Sequence, residues 1–361
     1  MDFLLQPNIY STENGTNTLM SLLERAWVKD VKEHDSVGNG TFYILSGFSN
    51  FNGGVPFYER IEKHIQLGGK CKIILGASAS QRMSSQQIVR KLLEIGCEVG
   101  LVNRKAIFHA KCYGFQNGQF RNLIVSSGNF TSRGITQNIE ASLFLQEADL
   151  KMKFEWETVF DAIKTQKLEY YQVSSDEAND PAWKLLFDED KYRIEEGTKD
   201  EFSTMVLTLG HNDTVRIQAE PRTNASKGSQ YFWLSKDAID FFPRLNIENK
   251  RGTKKTYSTF IKIHYLDIGR TVEERVTLEA ENNLDFRLGT GTLRNTQAAY
   301  EGDIALITRK DNAEYELRIV HKTDPLYSVI IKYAIYNIGN RGKRYGYIAN
   351  SQLMKIQQSL L

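Results

Sequence analysis

The sequence predicts two domains, an α/β domain followed by a mainly-β domain. The 361 residues are enough for two cores of ordinary size. Strand and helix patterns alternate in the first part of the chain, whereas short strands separated by Gly, Asn and Asp turns fill the second part. Between these parts, residues 176–201 hold ten acidic side chains and four basic ones. We therefore predict a first domain at 1–169, an acidic linker at 170–201 and a second domain at 202–361.

The first domain shows helix and strand signals in alternation. Apolar residues recur at helical spacing in three segments, which are 18–30, 55–69 and 84–96. Glycines follow or end the last two of these segments, as is typical of helix C-termini. Compact apolar runs predict six strands, at 41–50, 70–78, 97–103, 107–115, 121–128 and 139–146. A helix at 148–166 is expected to close the domain, whose fold class is an α/β layer around a central sheet.

The second domain reads as a succession of short strands. These predicted strands are 204–210, 214–220, 231–235, 259–268, 275–281, 304–310, 315–322 and 344–348. Helical content is expected to be small, with one candidate at 328–338. Regular short strands with such turns predict a barrel or a sandwich.

Composition excludes several classes of protein. The net charge of +2 gives no overall polycation, although residues 221–260 hold eight basic and three acidic side chains. The three cysteines, Cys71, Cys97 and Cys112, have no paired spacing, which argues against a disulfide framework or a zinc site. No signal peptide and no membrane span are expected, so we predict a soluble cytoplasmic protein with no metal and no other cofactor.

A histidine and a lysine two residues apart, His109 and Lys111, lie in one predicted strand. Because side chains alternate along a strand, both are expected on one face, roughly 6–7 Å apart. An imidazole is a competent nucleophile, and an ammonium stabilises an anionic centre. Ser127 lies near the end of the next predicted strand, Asn129 follows that strand, and both can donate hydrogen bonds. Glu140 is the carboxylate expected to orient the imidazole. These five residues form the predicted catalytic set for attack on a phosphodiester.

His-x-Lys followed by Ser-x-Asn resembles the signature of the phospholipase D superfamily. The resemblance implies a covalent phosphohistidine formed without a metal, and a second histidine that protonates the leaving group. The sequence departs from the usual pattern at Gln116, where an aspartate is expected, and at Ser126, where a glycine is expected. The alternative for His109 alone is a histidine with a structural role in its strand.

A second histidine must reach the site if this resemblance holds. Of the six histidines, only His109 is followed two residues later by a lysine. The second imidazole is therefore expected from another chain. A two-fold homodimer formed through the first domain would place two copies of His109 around one shared site.

The wider chain resembles the BfiI-type metal-independent Type IIS restriction endonucleases. The runs that carry this resemblance are SGFSNFNGG, SSGNFT, GSQYFWLSKD, NKRGTK, DFRLGTG and GNRGKRYGYI. The resemblance implies a phospholipase D-like nuclease domain, an acidic linker that shields the active site in the absence of DNA, and a B3-like pseudobarrel. It also implies cleavage of double-stranded DNA outside an asymmetric recognition site.

Two turn-rich segments of the second domain carry side chains suited to reading bases. The candidates are Arg216, Gln218, Arg222, Asn224 and Lys227 in the first segment, and Asn283, Asp285, Arg287 and Arg294 in the second. The candidates for phosphate contacts are Lys250, Arg251, Lys254, Lys255, Arg341, Lys343 and Arg344. For any one of these residues, the alternative is an ordinary exposed cationic face.

Three functions remain open on the sequence. The first is a site-specific endonuclease. The second is a nonspecific nuclease or phosphodiesterase of the phospholipase D superfamily, which would not need a second, β-rich domain. The third is a catalytically inactive DNA-binding regulator, which would not need the His–Lys–Asn set.

Overall fold

A computed structural model describes residues 1–6, 18–104, 106–118, 120–150, 154–165, 169–191, 202–252, 254–280, 285–338 and 342–360. The chain forms two compact units, Met1–Tyr192 and Arg193–Leu361. The first unit is an α/β layer and the second is mainly β, so the predicted fold class is confirmed. No helix in the described ranges has the length and apolar character needed to cross a bilayer.

The first unit is built on one eight-stranded sheet. Its strands are β1 (Asp2–Gln6), β2 (Thr41–Ser46), β3 (Lys70–Gly76), β4 (Glu98–Val102), β5 (Lys111–Asn117), β6 (Phe120–Ser126), β7 (Glu140–Gln146) and β8 (Tyr170–Gln172). Their spatial order is β1-β7-β6-β5-β2-β3-β4-β8. Strands β2, β3 and β4 are parallel, and the other pairs are antiparallel.

Helices connect and cover these strands. They are α1 (Leu19–Glu24), α2 (Asp30–Glu33), α3 (Phe51–Gly54), α4 (Tyr58–Gln66), α5 (Gln86–Glu94), α6 (Ser132–Thr136) and α7 (Trp156–Thr165), and a π-helical turn, Arg25–Lys29, joins α1 to α2. The hydroxyl of Ser85 accepts from the Ile88 N–H and caps α5. Gly68 (φ +106°) and Gly96 (φ +91°) follow α4 and α5 in the left-handed conformation. The predicted helix ends are therefore confirmed.

Gln116, at the position where the superfamily has an aspartate, helps to hold α7 on the sheet. Its side-chain oxygen accepts from the Trp156 N–H at 3.1 Å, and its amide donates to Glu155. The Trp156 ring stacks on Tyr43 with their centroids 5.0 Å apart. The described helix is shorter than the predicted 148–166 because it begins at Trp156. Gln116 thus has a structural role at the far end of β5.

The described part of the acidic stretch packs on the first unit. Strand β8 pairs with β4, and Trp183 is buried. Glu189 is also buried; it accepts from the Phe51 N–H at 2.7 Å and from the hydroxyl of Ser85. Residues 170–191 therefore belong to this unit by their packing, whereas residues 192–201 lie outside the described ranges. The domain limits given above stay a prediction.

The second unit contains one ten-stranded sheet. Its strands are β9 (Ser203–Thr208), β10 (Tyr231–Leu234), β11 (Ile247–Arg251), β12 (Lys254–Tyr265), β13 (Arg270–Glu279), β14 (Asp285–Gly289), β15 (Ile304–Arg309), β16 (Glu314–Val320), β17 (Tyr336–Ile338) and β18 (Lys343–Ala349). The order is β10-β14-β13-β12-β16-β15-β9-β18-β17, and β11 pairs with β12. The sheet is nearly closed and forms a pseudobarrel. Three helices, α8 (His211–Gln218), α9 (Pro325–Ile330) and α10 (Asn350–Ser359), accompany it.

Two predictions for this unit are wrong. Residues 214–220 were expected to form a strand, but they lie largely in α8. The Gly210 N–H donates to the Asp213 carboxylate at 2.7 Å, and this contact satisfies one of the free amides at the start of the helix. The expected helix at 328–338 ends as an α-helix at Ile330, and β17 follows. Strands β11 and β14 and helix α10 were not predicted.

Candidate active site and nucleic-acid interface

The sheet topology brings the predicted catalytic residues to one end of the sheet. Because β5 runs antiparallel to β2, Lys111 at its start pairs with Ser46 at the end of β2. Strand β6 is antiparallel to both β5 and β7, so Ser126 at its end pairs with Ser142 near the start of β7. Lys111, Glu140 and the turn after β6 therefore meet at the same end of the sheet.

Two glycines let the His109 segment lie directly on the ends of β2 and β3. A Cβ atom at Gly47 would lie 2.8 Å from the carbonyl oxygen of Phe108 and 3.3 Å from the Cα of His109. At Gly76, a Cβ atom would lie 3.0 Å from the same carbonyl oxygen and 2.5 Å from that of Gly47. Any side chain at either position would displace the backbone that carries His109.

His109 precedes the strand in which it was predicted. Strand β5 begins at Lys111, so the alternation of a pleated strand does not bring the two side chains together. The contact between them is instead a hydrogen bond of 2.9 Å from the Lys111 ammonium to the backbone carbonyl of His109. The side chain of His109 is exposed, and its ring meets the Phe48 ring edge-on at 6.2 Å between centroids.

Lys111 is buried although it carries a charge. Only 6% of its surface is exposed. This burial lowers its pKa, while the nearby Glu140 carboxylate raises it. Since the ammonium donates to the backbone carbonyl of His109, its positive charge is held at the segment that carries the imidazole.

The amide of Asn129 is oriented by a residue that sequence reasoning missed. Its Oδ1 accepts from the Phe48 N–H at 3.0 Å, which leaves its Nδ2 as the donor group. The hydroxyl of Ser46 donates to the Phe48 carbonyl at 2.7 Å and accepts from the Phe130 N–H at 2.8 Å. Phe48 acts on Asn129 through its backbone, so no motif of side chains in the sequence could have shown this contact.

Glu140 has other partners than the one predicted. It accepts from the hydroxyl of Ser127 and, at 3.1 Å, from the Asn138 amide. In the contacts of the described residues, it does not reach the imidazole of His109. Because Ser127 and Glu140 lie on neighbouring segments, the carboxylate orients the serine instead. Within the described ranges, no three His, Cys, Asp or Glu side chains are grouped so that they could hold a metal ion.

The end of the second candidate DNA-reading segment is joined to the first segment by hydrogen bonds. The Asn295 N–H donates to the Arg216 carbonyl at 3.0 Å, and the Gln297 N–H donates to the Ile217 carbonyl at 3.0 Å. A further bond runs from the Arg294 guanidinium to the Gly228 carbonyl. Residues 291–299 are thus joined to α8 and to the turns that follow it.

The predicted DNA-binding residues differ in how available they are. Those with exposed side chains are Arg222, Asn224, Lys227, Lys250, Arg294 and Arg344. The guanidinium of Arg216 donates to the Lys227 carbonyl at 2.8 Å, and the Gln218 amide donates to the Ala299 carbonyl at 2.5 Å, so both help to fold the surface. Lys254 and Lys255 are half-buried and pair with Glu279 and Glu248. Asn283, Arg341 and the side chain of Arg251 lie outside the described part of the structure.

Three of the residues predicted to contact DNA take part in ion pairs inside the second unit. Arg287 is buried between Asp285, at 3.3 Å, and Glu279, at 3.6 Å. Lys343 donates to both oxygens of the buried Asp213 at 2.7 Å and to the Trp233 carbonyl at 2.6 Å. Because these groups are already paired and have little access to solvent, we propose that Asp285, Arg287 and Lys343 stabilise the unit instead of contacting DNA.

Comparison with family models assigns each unit. Residues 195–359 match the model for the "Metal-independent restriction enzyme BfiI DNA binding domain". Residues 41–163 match the model for "Cardiolipin synthase, PLD-like domain". The first unit is therefore similar to phospholipase D-like domains, and the second unit is similar to the DNA-binding domain of a BfiI-type enzyme. These two matches support a restriction-type nuclease, a hydrolase that cleaves DNA.

Solved structures resemble parts of this chain at low identity. Polyphosphate kinase from Porphyromonas gingivalis is 15% identical over 44% of this chain and 22% of its own, with a TM-score of 0.29. The phospholipase D family member Nuc from Salmonella typhimurium is 13% identical over 41% of this chain and 90% of its own, at 0.29. NucT from Helicobacter pylori is 15% identical over 40% of this chain and 92% of its own, with a TM-score of 0.25. This chain therefore spans less than a quarter of the kinase. No curated protein matches it.

Proposed function

We propose that this nuclease is a Type IIS restriction endonuclease that cuts double-stranded DNA outside an asymmetric site and needs no metal. The observation that carries the proposal is the meeting of His109, Lys111 and Asn129 at one end of the sheet of the first unit. The second unit supplies the DNA-binding surface. A B3-like fold for that unit and a location in the cytoplasm belong to the same proposal.

The proposed reaction has two steps. A ring nitrogen of the neutral His109 attacks phosphorus, the bond from phosphorus to the 3′ oxygen breaks, and that oxygen takes a proton from a second, protonated imidazole. In the second step, water gives a proton to that second imidazole and attacks phosphorus, the bond from phosphorus to nitrogen breaks, and a 5′-phosphate and the neutral histidine are released. Lys111 and the Nδ2 of Asn129 stabilise charge on the non-bridging oxygens in both steps. Ser127, oriented by Glu140, supplies a further hydrogen bond.

The second imidazole comes from the partner in a homodimer. An apolar sheet face beside the site supports this part of the proposal. Phe3, Leu143 and Val125 are cross-strand neighbours on β1, β7 and β6, so their side chains lie on one face. Phe3 is 71% exposed and Val125 is 43% exposed. A second copy that covers this face would remove exposed apolar surface and would bring its own His109 close.

Plasmid cleavage in EDTA tests the proposal. The wild-type chain should give discrete fragments, and His109→Ala should give none while it keeps its affinity for DNA. A smear would instead support a nonspecific nuclease of the superfamily, and intact DNA would support a DNA-binding regulator. Cleavage by His109→Ala, or cleavage only when magnesium is added, would refute the mechanism.

Mixed dimers test the shared site. Subunits of the wild type and of His109→Ala are exchanged at equal concentration. If each site needs both imidazoles, about one quarter of the activity remains, because only wild-type homodimers cut. Independent sites would leave about one half.

A further inference from the structure

Strained backbone is concentrated on the DNA-binding surface of the second unit. Six non-glycine residues of the described chain have a left-handed backbone, and three of them are Arg222 (φ +70°), Asn295 (φ +58°) and Gln297 (φ +57°). L-residues adopt this conformation rarely, and such residues cluster at functional sites. These three lie in the two segments that join at the end of α8.

Arg222 occupies a turn position that favours glycine. The Thr223 N–H donates to the Glu220 carbonyl at 3.3 Å, which closes a four-residue turn with Pro221 at its second position. A turn with proline at the second position and positive φ at the third is of type II, where glycine or asparagine is preferred at the third. The side chain of Arg222 is exposed.

The strain at Asn295 has a structural explanation. Its N–H donates to the Arg216 carbonyl, and its side-chain amide donates to the Ala219 carbonyl. Both carbonyls lie at the C-terminal end of α8, where a helix leaves its carbonyl groups without partners. Asparagine also tolerates the left-handed region better than most residues.

Gln297 differs from Asn295, because the backbone contact that it makes with α8 does not need its side chain. Its backbone N–H caps the Ile217 carbonyl at 3.0 Å, and a glycine would supply the same N–H with less strain. Its side chain is exposed, and its amide reaches the Glu220 carboxylate at 3.3 Å. This contact places the Gln297 side chain beside the turn that carries Arg222.

We propose that Arg222 and Gln297 are base-reading residues of this nuclease, and that the strained backbone is retained because their side chains contact DNA. An arginine fork matches guanine O6 and N7, and a glutamine amide matches adenine N6 and N7. Gln297 is a new member of the DNA-reading set. The inference rests on the DNA-binding role of the second unit and does not depend on the cleavage mechanism.

The test is a selection from DNA duplexes with a randomised central segment, using the full-length chain with His109→Ala. The variants Gln297→Gly and Arg222→Gly are compared with this parent. Each should lose preference at one or two base positions, with a fall of about 10- to 100-fold in affinity for the parent's selected sequence. The unfolding temperature should stay the same or rise, because glycine relieves the strain.

Matched variants separate this result from other causes. Asp35→Gly relieves a left-handed residue (φ +47°) in the first unit and should leave the selected sequence unchanged. Arg344→Ala should weaken binding to all sequences alike, as loss of a phosphate contact does. Gln297→Asn keeps an amide but shortens its reach, and should lose the same base preference. If the parent selects a sequence and the Gln297 and Arg222 variants select it equally well, the inference fails. If the parent itself selects no sequence, both this inference and the proposed site specificity fail.

Discussion

The neighbouring residues Lys343 and Arg344 should respond to substitution in opposite ways. The side chain of Lys343 is only 10% exposed and makes three hydrogen bonds, two to Asp213 at 2.7 Å and one to the Trp233 carbonyl at 2.6 Å. Burial lowers its pKa, although the Asp213 carboxylate opposes this shift. Arg344 is exposed on the same strand. We therefore expect the first side chain to stabilise the fold and the second to bind phosphate.

The expected magnitude follows from what Lys343→Met leaves behind. The Asp213 carboxylate keeps its bonds from the Gly210 and Trp233 N–H groups but loses its positive partner while it remains buried. Removal of one partner of a buried ion pair costs about 3–5 kcal/mol. Because two backbone donors remain, we expect about 3 kcal/mol, or a fall of roughly 10 °C in the unfolding temperature of the second unit. Arg344→Met should change that temperature by less than about 2 °C.

Calorimetry and the salt dependence of DNA binding check this pair. Arg344→Met should lower the slope of log affinity against log salt by about 0.9, the value for one phosphate contact. Lys343→Met, measured below its unfolding temperature, should leave the slope unchanged. In a double-mutant cycle, Asp213→Asn should lower the free energy of unfolding only slightly further once Lys343 is replaced. A reduced slope with unchanged stability for Lys343→Met would refute the structural assignment.

Three further predictions concern the first unit. The Gly38 N–H donates to Nδ1 of His64, and burial lowers the pKa of this histidine. The unfolded chain therefore binds more protons than the folded chain below about pH 6.5, so the free energy of unfolding should fall as the pH falls through this range. His64→Gln should make the urea midpoint depend less on pH. Gly47→Ala should lower the rate of plasmid cleavage about tenfold or more, because its Cβ displaces the His109 backbone; an unchanged rate would show that this contact does not position the site. Glu189→Gln should destabilise the unit by about 1–2 kcal/mol in urea titration, because its bond to the Phe51 N–H is charge-assisted, and equal stability would contradict a packing role.

The ends of helices could be predicted from the sequence, because the residues that cap a helix lie within a few positions of its ends. The Ser85 cap and the left-handed Gly96 mark the ends of α5 within a few residues. The misassigned helix α8 shows the limit of such signals. Its Val215 and Ile217 favour strands by propensity, and the capping contact of Asp213 with Gly210 outweighs that preference.

The chemistry of the site was predictable where it depends on residue type, and not where it depends on packing. The spacing of His109, Lys111 and Asn129 predicts their shared role. The backbone amide of Phe48 and the buried state of Lys343 leave no local trace. The partner of Lys343 is Asp213, which lies 130 positions earlier in the chain. Only the folded sheet shows that this lysine is already paired with a carboxylate.

One chain orients two of its three proposed catalytic groups more firmly than the third. Phe48 fixes the amide of Asn129, and the backbone of His109 fixes the ammonium of Lys111. In the described contacts, the imidazole of His109 meets the Phe48 ring but receives no hydrogen bond that would fix its tautomer.

A nucleophilic histidine needs such a bond, so we expect it to come from the partner subunit or from bound DNA. Dilution distinguishes these two sources. If the partner supplies the bond, activity per subunit should fall as dimers dissociate, and a covalent dimer linked through the apolar face should keep its activity. Activity per subunit that is constant across the dissociation range, measured beside sedimentation, would instead assign the orienting contact to DNA.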